Sequence, residues 1–141
     1  MFICILFSPC SFHRGSGKST QVPQFILDHD ETCNIVVTQP RRISAISIAE
    51  RVAAERCETV GSVVGYNVRL ESAISESTQL TFCTPGILLR KFQNSPGLEE
   101  YNYIMLDEIH ERDQYTEFLM IALKELMARR NDLHVVLMSA T

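Results

Sequence analysis

Three short runs of apolar residues do most to limit the possible folds: NIVVT (Asn34–Thr38), YNYIML (Tyr101–Leu106) and LHVVLM (Leu133–Met138). All three read as strands. NIVVT is so nearly continuous in apolar residues that it fits a strand buried on both faces, and LHVVLM also looks buried. Segments with helical spacing separate them. Ser19–His29 places Val22, Phe25, Ile26 and His29 in step, with Pro23 near the helix start, where it is tolerated. Arg41–Cys57 places Ile43, Ile46, Ala49, Ala53 and Cys57 on one face. Two more strands are expected at Ser62–Leu70 and Gln79–Thr84, a short helix after Pro85 and Gly86, and a long helix over Thr116–Arg130. Strands joined by helical crossovers imply an α/β fold, with a mostly parallel central sheet and helices on both faces.

At 141 residues the chain is the size of one domain. Its net charge of −4 excludes a polycation that coats nucleic acid, though not a local basic face. The five cysteines are scattered, with no C-x-x-C pair and no His/Cys cluster of metal spacing. An odd number cannot pair completely within the chain, so reduced thiols in the nucleus or cytoplasm are expected. The opening MFICILF has no basic segment before it and is soon interrupted by Pro9, unlike a secretory signal.

The segment GSGKST (Gly15–Thr20) opens the first helix. Glycines there let the main chain approach phosphate oxygens at a helix N-terminus, whose dipole favours negative charge. Lys18 would reach the β- and γ-phosphates, and the Ser19 hydroxyl would hold Mg²⁺. Gly15, Ser16, Gly17, Lys18, Ser19 and Thr20 are the candidate nucleotide-binding residues. A flexible Gly/Ser loop is the bland alternative. Downstream, YIMLDEIHE ends a strand on Asp107 and Glu108. Asp107 can bind the Mg²⁺ directly or through water, and Glu108 can orient and deprotonate an attacking water. An acidic loop after a strand is common alone, but its pairing with GKS across several β/α units is not.

Five further signatures stand in order: TQPRR (Thr38–Arg42), GYNVRLES (Gly65–Ser72), FCTPGILLR (Phe82–Arg90), DEIH (Asp107–His110) and SAT (Ser139–Thr141). Together they resemble the first RecA-like domain of the DEAH-box RNA helicases, in particular the branch containing RNA helicase A, which carries the DEIH variant. The resemblance implies a RecA-like P-loop NTPase fold over residues 14–141, ATP and Mg²⁺ as ligands, and RNA as partner. It gives Glu108, Lys18 and His110 catalytic roles, His110 as a sensor-like histidine. It places Arg41, Arg42 and Thr84 on the RNA backbone, and Arg51 in a stack on the nucleotide base. Ser139 and Thr141 would couple nucleotide state to RNA strand separation, through hydrogen bonds to the Asp107–His110 loop. Arginines after a strand can pair with phosphates at the sheet's carboxyl edge, though each is also an ordinary surface residue. Arg51 has a bland reading too, as a solvated helix position beside Glu50 and Glu55. His13, His29 and His134 read as surface or packing residues.

The family uses a second RecA-like domain that supplies arginine fingers, and nothing in this sequence corresponds to it. The chain ends just after a buried-looking strand, which suggests a fragment. Residues 1–13 lie outside the resemblance: Phe12 stands where the family loop has a glycine, and Arg14 replaces a threonine. A non-glycine residue forced to positive φ costs about 1–3 kcal/mol, or roughly ten- to a hundredfold in affinity, so weakened ATP binding is expected. Two other functions compete with an ATP-hydrolysing helicase core. One is a catalytically impaired fragment that only binds RNA or a partner. The other is a small-molecule P-loop kinase, which would need neither TQPRR nor SAT.

Overall fold

The computed structural model describes residues 3–7 and 17–140. Its elements run β1 (Ile3–Phe7), α1 (Lys18–His29), β2 (Ile35–Thr38), α2 (Arg42–Glu55), β3 (Val64–Val68), β4 (Glu71–Ala73), β5 (Leu80–Cys83), α3 (Pro85–Asn94), β6 (Tyr103–Leu106), a 3₁₀ turn (Ile109–Glu111), α4 (Gln114–Met127) and β7 (His134–Ser139). The strands form one seven-stranded sheet in the order β1-β7-β6-β2-β5-β3-β4. Every pairing is parallel except β3 with β4. At the β1 edge, Ile3 stands opposite Val135 and Phe7 opposite Ser139.

The apolar runs are buried on both faces because successive residues point to opposite sides. Ile35, Val37 and Met105 join one core with Ala49 and Val52 of α2 and Leu27 of α1. Val36, Ile104 and Leu106 join the other, with Leu88 of α3 and Leu119 and Leu123 of α4. The architecture is therefore an α/β sheet with helices on both faces, as the alternation implies.

Two helix faces differ from the expected ones. In α2 the buried row is Ala45, Ala49, Val52 and Ala53, whereas Ile43 is 78% exposed and Cys57 is outside. Apolar residues cover most of this helix's circumference, so spacing does not single out one face. The alanine row packs inward because its small side chains let the helix lie close to the sheet. In α1, Thr20, Pro23 and Leu27 point inward. Phe25 and His29 instead stack on each other outside, with ring centroids 4.1 Å apart. His134 lies flat against Tyr103.

A strand at Glu71–Ala73 was not anticipated. Leu70 takes a left-handed conformation (φ 67°) that turns the chain back after β3, so GYNVRLES forms most of a hairpin. The long helix begins two residues earlier than its spacing suggests. Asp113 caps it, its carboxylate accepting from the Thr116 amide at 3.2 Å. No helix of the described residues is long and apolar enough to cross a membrane.

Candidate functional site

The site is assembled where α1 starts and where β2, β6 and β7 end. Gly17 precedes α1 with φ 71°, a left-handed conformation cheap only for glycine, and so turns the chain into the helix. Lys18 Nζ donates to the Ser139 carbonyl at 3.0 Å. The Ser19 hydroxyl donates to Asp107 Oδ2. Thr20 is buried, its hydroxyl donating to the Gly17 carbonyl at 3.0 Å. Gly15 and Ser16 lie outside the described residues, as do Phe12, Arg14, His13 and Thr141.

Asp107 is 5% exposed. A carboxylate so buried needs donors, and it has three. Besides Ser19, the Gln39 side-chain amide donates to Oδ2 at 2.5 Å, and the Glu108 amide donates to Oδ1 at 2.8 Å. Strand register explains Gln39. Thr38 stands opposite Leu106, so the residues just past the two strand ends meet. Gln39 was not singled out from the sequence, although a polar TQ pair ending an apolar run is the signal that could have marked it. The neighbouring Thr38 hydroxyl is buried and has no hydrogen-bond partner among the described residues.

Glu108 follows in a left-handed conformation, φ 55° and ψ 37°, uncommon for a residue with a side chain. This turns its carboxylate away from Asp107's partners and towards His110, whose Nε2 lies 2.9 Å from Oε2. The Ala140 amide donates to His110 Nδ1 at 3.3 Å, and Ser139 Oγ is 3.4 Å from the same nitrogen. Nδ1 is thus an acceptor, and Nε2 carries the proton facing Glu108. Partial burial and then the neighbouring Asp107 charge push the Glu108 carboxyl above its ordinary range. Glu108, His110 and Glu111 could also be read as a metal cluster. A cation on Nε2 would move the ring proton to Nδ1 and break the Ala140 hydrogen bond, so the cluster is better read as a hydrogen-bond relay.

The other candidates sit around this centre. Arg41 reaches Glu111 at 3.6 Å, both well exposed, a pairing worth little in water. Arg42 is held by Glu71 at 2.5 Å, and Glu71 also accepts from the Tyr66 hydroxyl at 2.9 Å. Arg51 is paired along its own helix with Glu55 at 3.1 Å. Gln21 and Gln24 of α1 donate to the same carboxylate, which brings Arg51's surroundings to the outer side of α1. Thr84 precedes α3 in an extended conformation with no side-chain capping bond, and Pro85 is the first helical residue. It lines an open groove of about 1020 Å³ with residues of the β3–β4 hairpin. The structure therefore brings Lys18, Ser19, Asp107, Glu108, His110 and Ser139 together. Arg41, Arg42, Arg51 and Thr84 lie outside that group.

A mostly parallel sheet flanked by helices, with its polar cluster at the strands' carboxyl ends, defines an α/β domain of the RecA-like class. The sequence profile of the DEAD/DEAH box helicase family matches residues 8–141, and the chain belongs to that family. It is 52% identical over 137 residues to the DExH-box ATP-dependent RNA helicase DExH1 of Arabidopsis thaliana, covering 93% of this chain and 14% of that protein. It is 54% identical to RNA editing associated helicase 2 of Trypanosoma brucei brucei, covering 90% of this chain and 6% of that protein. It is 50% identical to the ATP-dependent RNA helicase DHX29 of Homo sapiens, covering 90% of this chain and 10% of that protein. The chain thus spans a small part of the length of these relatives.

Proposed function

We propose that the chain is the ATP-binding core of an RNA helicase, taking ATP–Mg²⁺ on its first helix and RNA along the neighbouring sheet edge. The observation that carries this reading is the contact of Ser19 with Asp107, beside Lys18 and the Glu108–His110–Ser139 relay. An alcohol and a buried carboxylate sharing one hydrogen bond are hard oxygen donors of the kind Mg²⁺ takes. The residues present fit the ion, with Ser19 and Asp107 as its holders. When bound, Mg²⁺ would neutralise charge on the β- and γ-phosphate oxygens.

The chain's own groups do the rest. Lys18, now resting on the Ser139 carbonyl, would exchange that acceptor for phosphate oxygen. Gln39 holds Asp107 in place. Glu108, with its carboxyl raised towards neutrality, would take a proton from the attacking water, which needs an acceptor of suitable basicity. His110 donates to Glu108 and is itself anchored on Ala140 and Ser139. A change at the phosphates could therefore pass to the end of β7. Arg41, Arg42 and Thr84 are the proposed RNA-backbone contacts, and Arg51 the proposed partner of the nucleotide base. In a longer protein, a second RecA-like domain would add the arginine fingers and make hydrolysis drive unwinding. Nucleus or cytoplasm is the proposed location.

The test is ATP binding and phosphate release with and without single-stranded RNA, in wild type and Glu108→Gln. The expected result is slow, RNA-stimulated hydrolysis that Glu108→Gln abolishes while ATP binding survives. Hydrolysis indifferent to that substitution would overturn the assignment of Glu108. ATP binding with no turnover under any condition would leave the binding-only reading.

A further inference from the structure

Tyr115, in the first turn of α4, is 52% exposed. Its ring makes no hydrogen bond, aromatic contact or cation contact among the described residues. Its edge faces the backbone of Gly86 in the first turn of α3, where an added Cβ would lie 3.9 Å from ring atom Cδ2. Both residues line the groove of about 1020 Å³ described above.

The charges in this groove favour an anionic occupant. Arg69 and Arg90 line it and have no carboxylate partner among the described residues. Its acidic groups are already engaged, Glu71 by Arg42 and Tyr66, and Asp113 by the first turn of α4. Free guanidinium groups beside an uncovered aromatic ring are the chemistry that grips single-stranded nucleic acid, because phosphates pair with the cations and a base lies on the ring.

We propose that Tyr115 is a base-stacking platform. One nucleotide of single-stranded RNA lays its base on the Tyr115 ring while neighbouring phosphates are held by Arg69 and Arg90. The proposal rests on the RNA reading given above. Stacking uses the π face that every base has, so it supplies grip with little sequence preference.

The experiment measures binding of a short fluorescein-labelled oligouridylate to the full chain, in wild type, Tyr115→Ala, Tyr115→Phe and Arg90→Ala. A strand of the same length without bases is run in parallel. Tyr115→Ala is expected to weaken oligouridylate binding about five- to a hundredfold, the range of one lost stack, with Tyr115→Phe close to wild type. It should leave binding of the baseless strand and the slope of affinity against salt unchanged, whereas Arg90→Ala lowers that slope. Tyrosine emission quenched by RNA in wild type should lose that component in Tyr115→Phe. If Tyr115→Ala binds like wild type while Arg90→Ala weakens binding, the stacking proposal falls and the RNA groove stands. Equal losses in Tyr115→Ala and Tyr115→Phe would place the effect on the hydroxyl and overturn stacking as well. If wild type binds neither strand, both readings fall together.

Discussion

The hydroxyl of Ser19 donates a hydrogen bond to Asp107, although 88 residues separate the two in the chain. The same carboxylate oxygen accepts from Gln39, which lies on a different strand end. Three segments therefore meet on one buried charge. Gln39→Leu removes a donor and leaves that charge short of a partner, a loss of about 1–3 kcal/mol measured by urea denaturation. Ser19→Ala and Asp107→Asn are expected to be non-additive in stability by about 1 kcal/mol, because they share one bond. Strict additivity would show that the contact contributes nothing.

Glu108 makes the stability of the chain depend on pH. Its carboxyl is pushed above the ordinary range in the fold, by burial first and then by Asp107. As pH rises past the ordinary carboxylate value, the unfolded chain releases this proton before the folded one does. Stability therefore falls with pH across that window. Glu108→Gln removes the charged form while keeping an oxygen for His110, so thermal melts should show it more stable than wild type at neutral pH. The gain should vanish below about pH 4, where both side chains are neutral. A gain that persists at low pH would show that the charged form of Glu108 is not its source.

Gly65 is required by space. A Cβ there would lie 2.2 Å from the Ala73 carbonyl oxygen, a backbone atom of the paired strand. Gly65→Ala must push β4 away from β3, at an expected cost of about 3 kcal/mol in chemical denaturation. Hydrogen exchange should show the loss concentrated in the Tyr66–Ala73 hairpin. Stability within about 0.5 kcal/mol of wild type, the range of ordinary surface substitutions, would contradict this placement.

Cysteine reactivity reports the fold directly. Burial pushes the Cys83 thiol up to about 12, and Cys33 is also buried and raised, while Cys57 is exposed. Alkylation followed by peptide mapping should label Cys57 quickly and leave Cys33 and Cys83 protected until the chain opens. Above about pH 8.5 the unfolded Cys83 thiol ionises and the folded one does not, so stability should decline as pH rises towards that folded value. Early labelling of Cys83 would show that β5 is not buried as described.

Much of this architecture was legible along the chain. Ile35–Val37 and Ile104–Leu106 are buried on both faces because every residue in them is apolar. Asp107 and Glu108 stood out because they follow such a run downstream of GKS, across several β/α units. The pairing of Ser19 with Asp107 could be anticipated as two halves of one site. The inward faces of α1 and α2 could not, because their apolar residues are spread around the helix and only the sheet selects which row it accepts. Ile43 lost to the alanine row on size.

Local chemistry in the sequence determined most of the strands, the crossovers between them, the glycine turn into α1 and the identity of the acidic pair. Most other contacts between distant segments were decided by the tertiary structure alone. Gln39 reaches Asp107 because β2 lies beside β6 in register, and His110 is anchored by Ala140 because β7 lies on the other side of β6. Glu71 holds Arg42 because a left-handed Leu70 folds β4 back along β3. Strand order and register are set by how all the faces pack at once, and no single stretch of sequence carries that information.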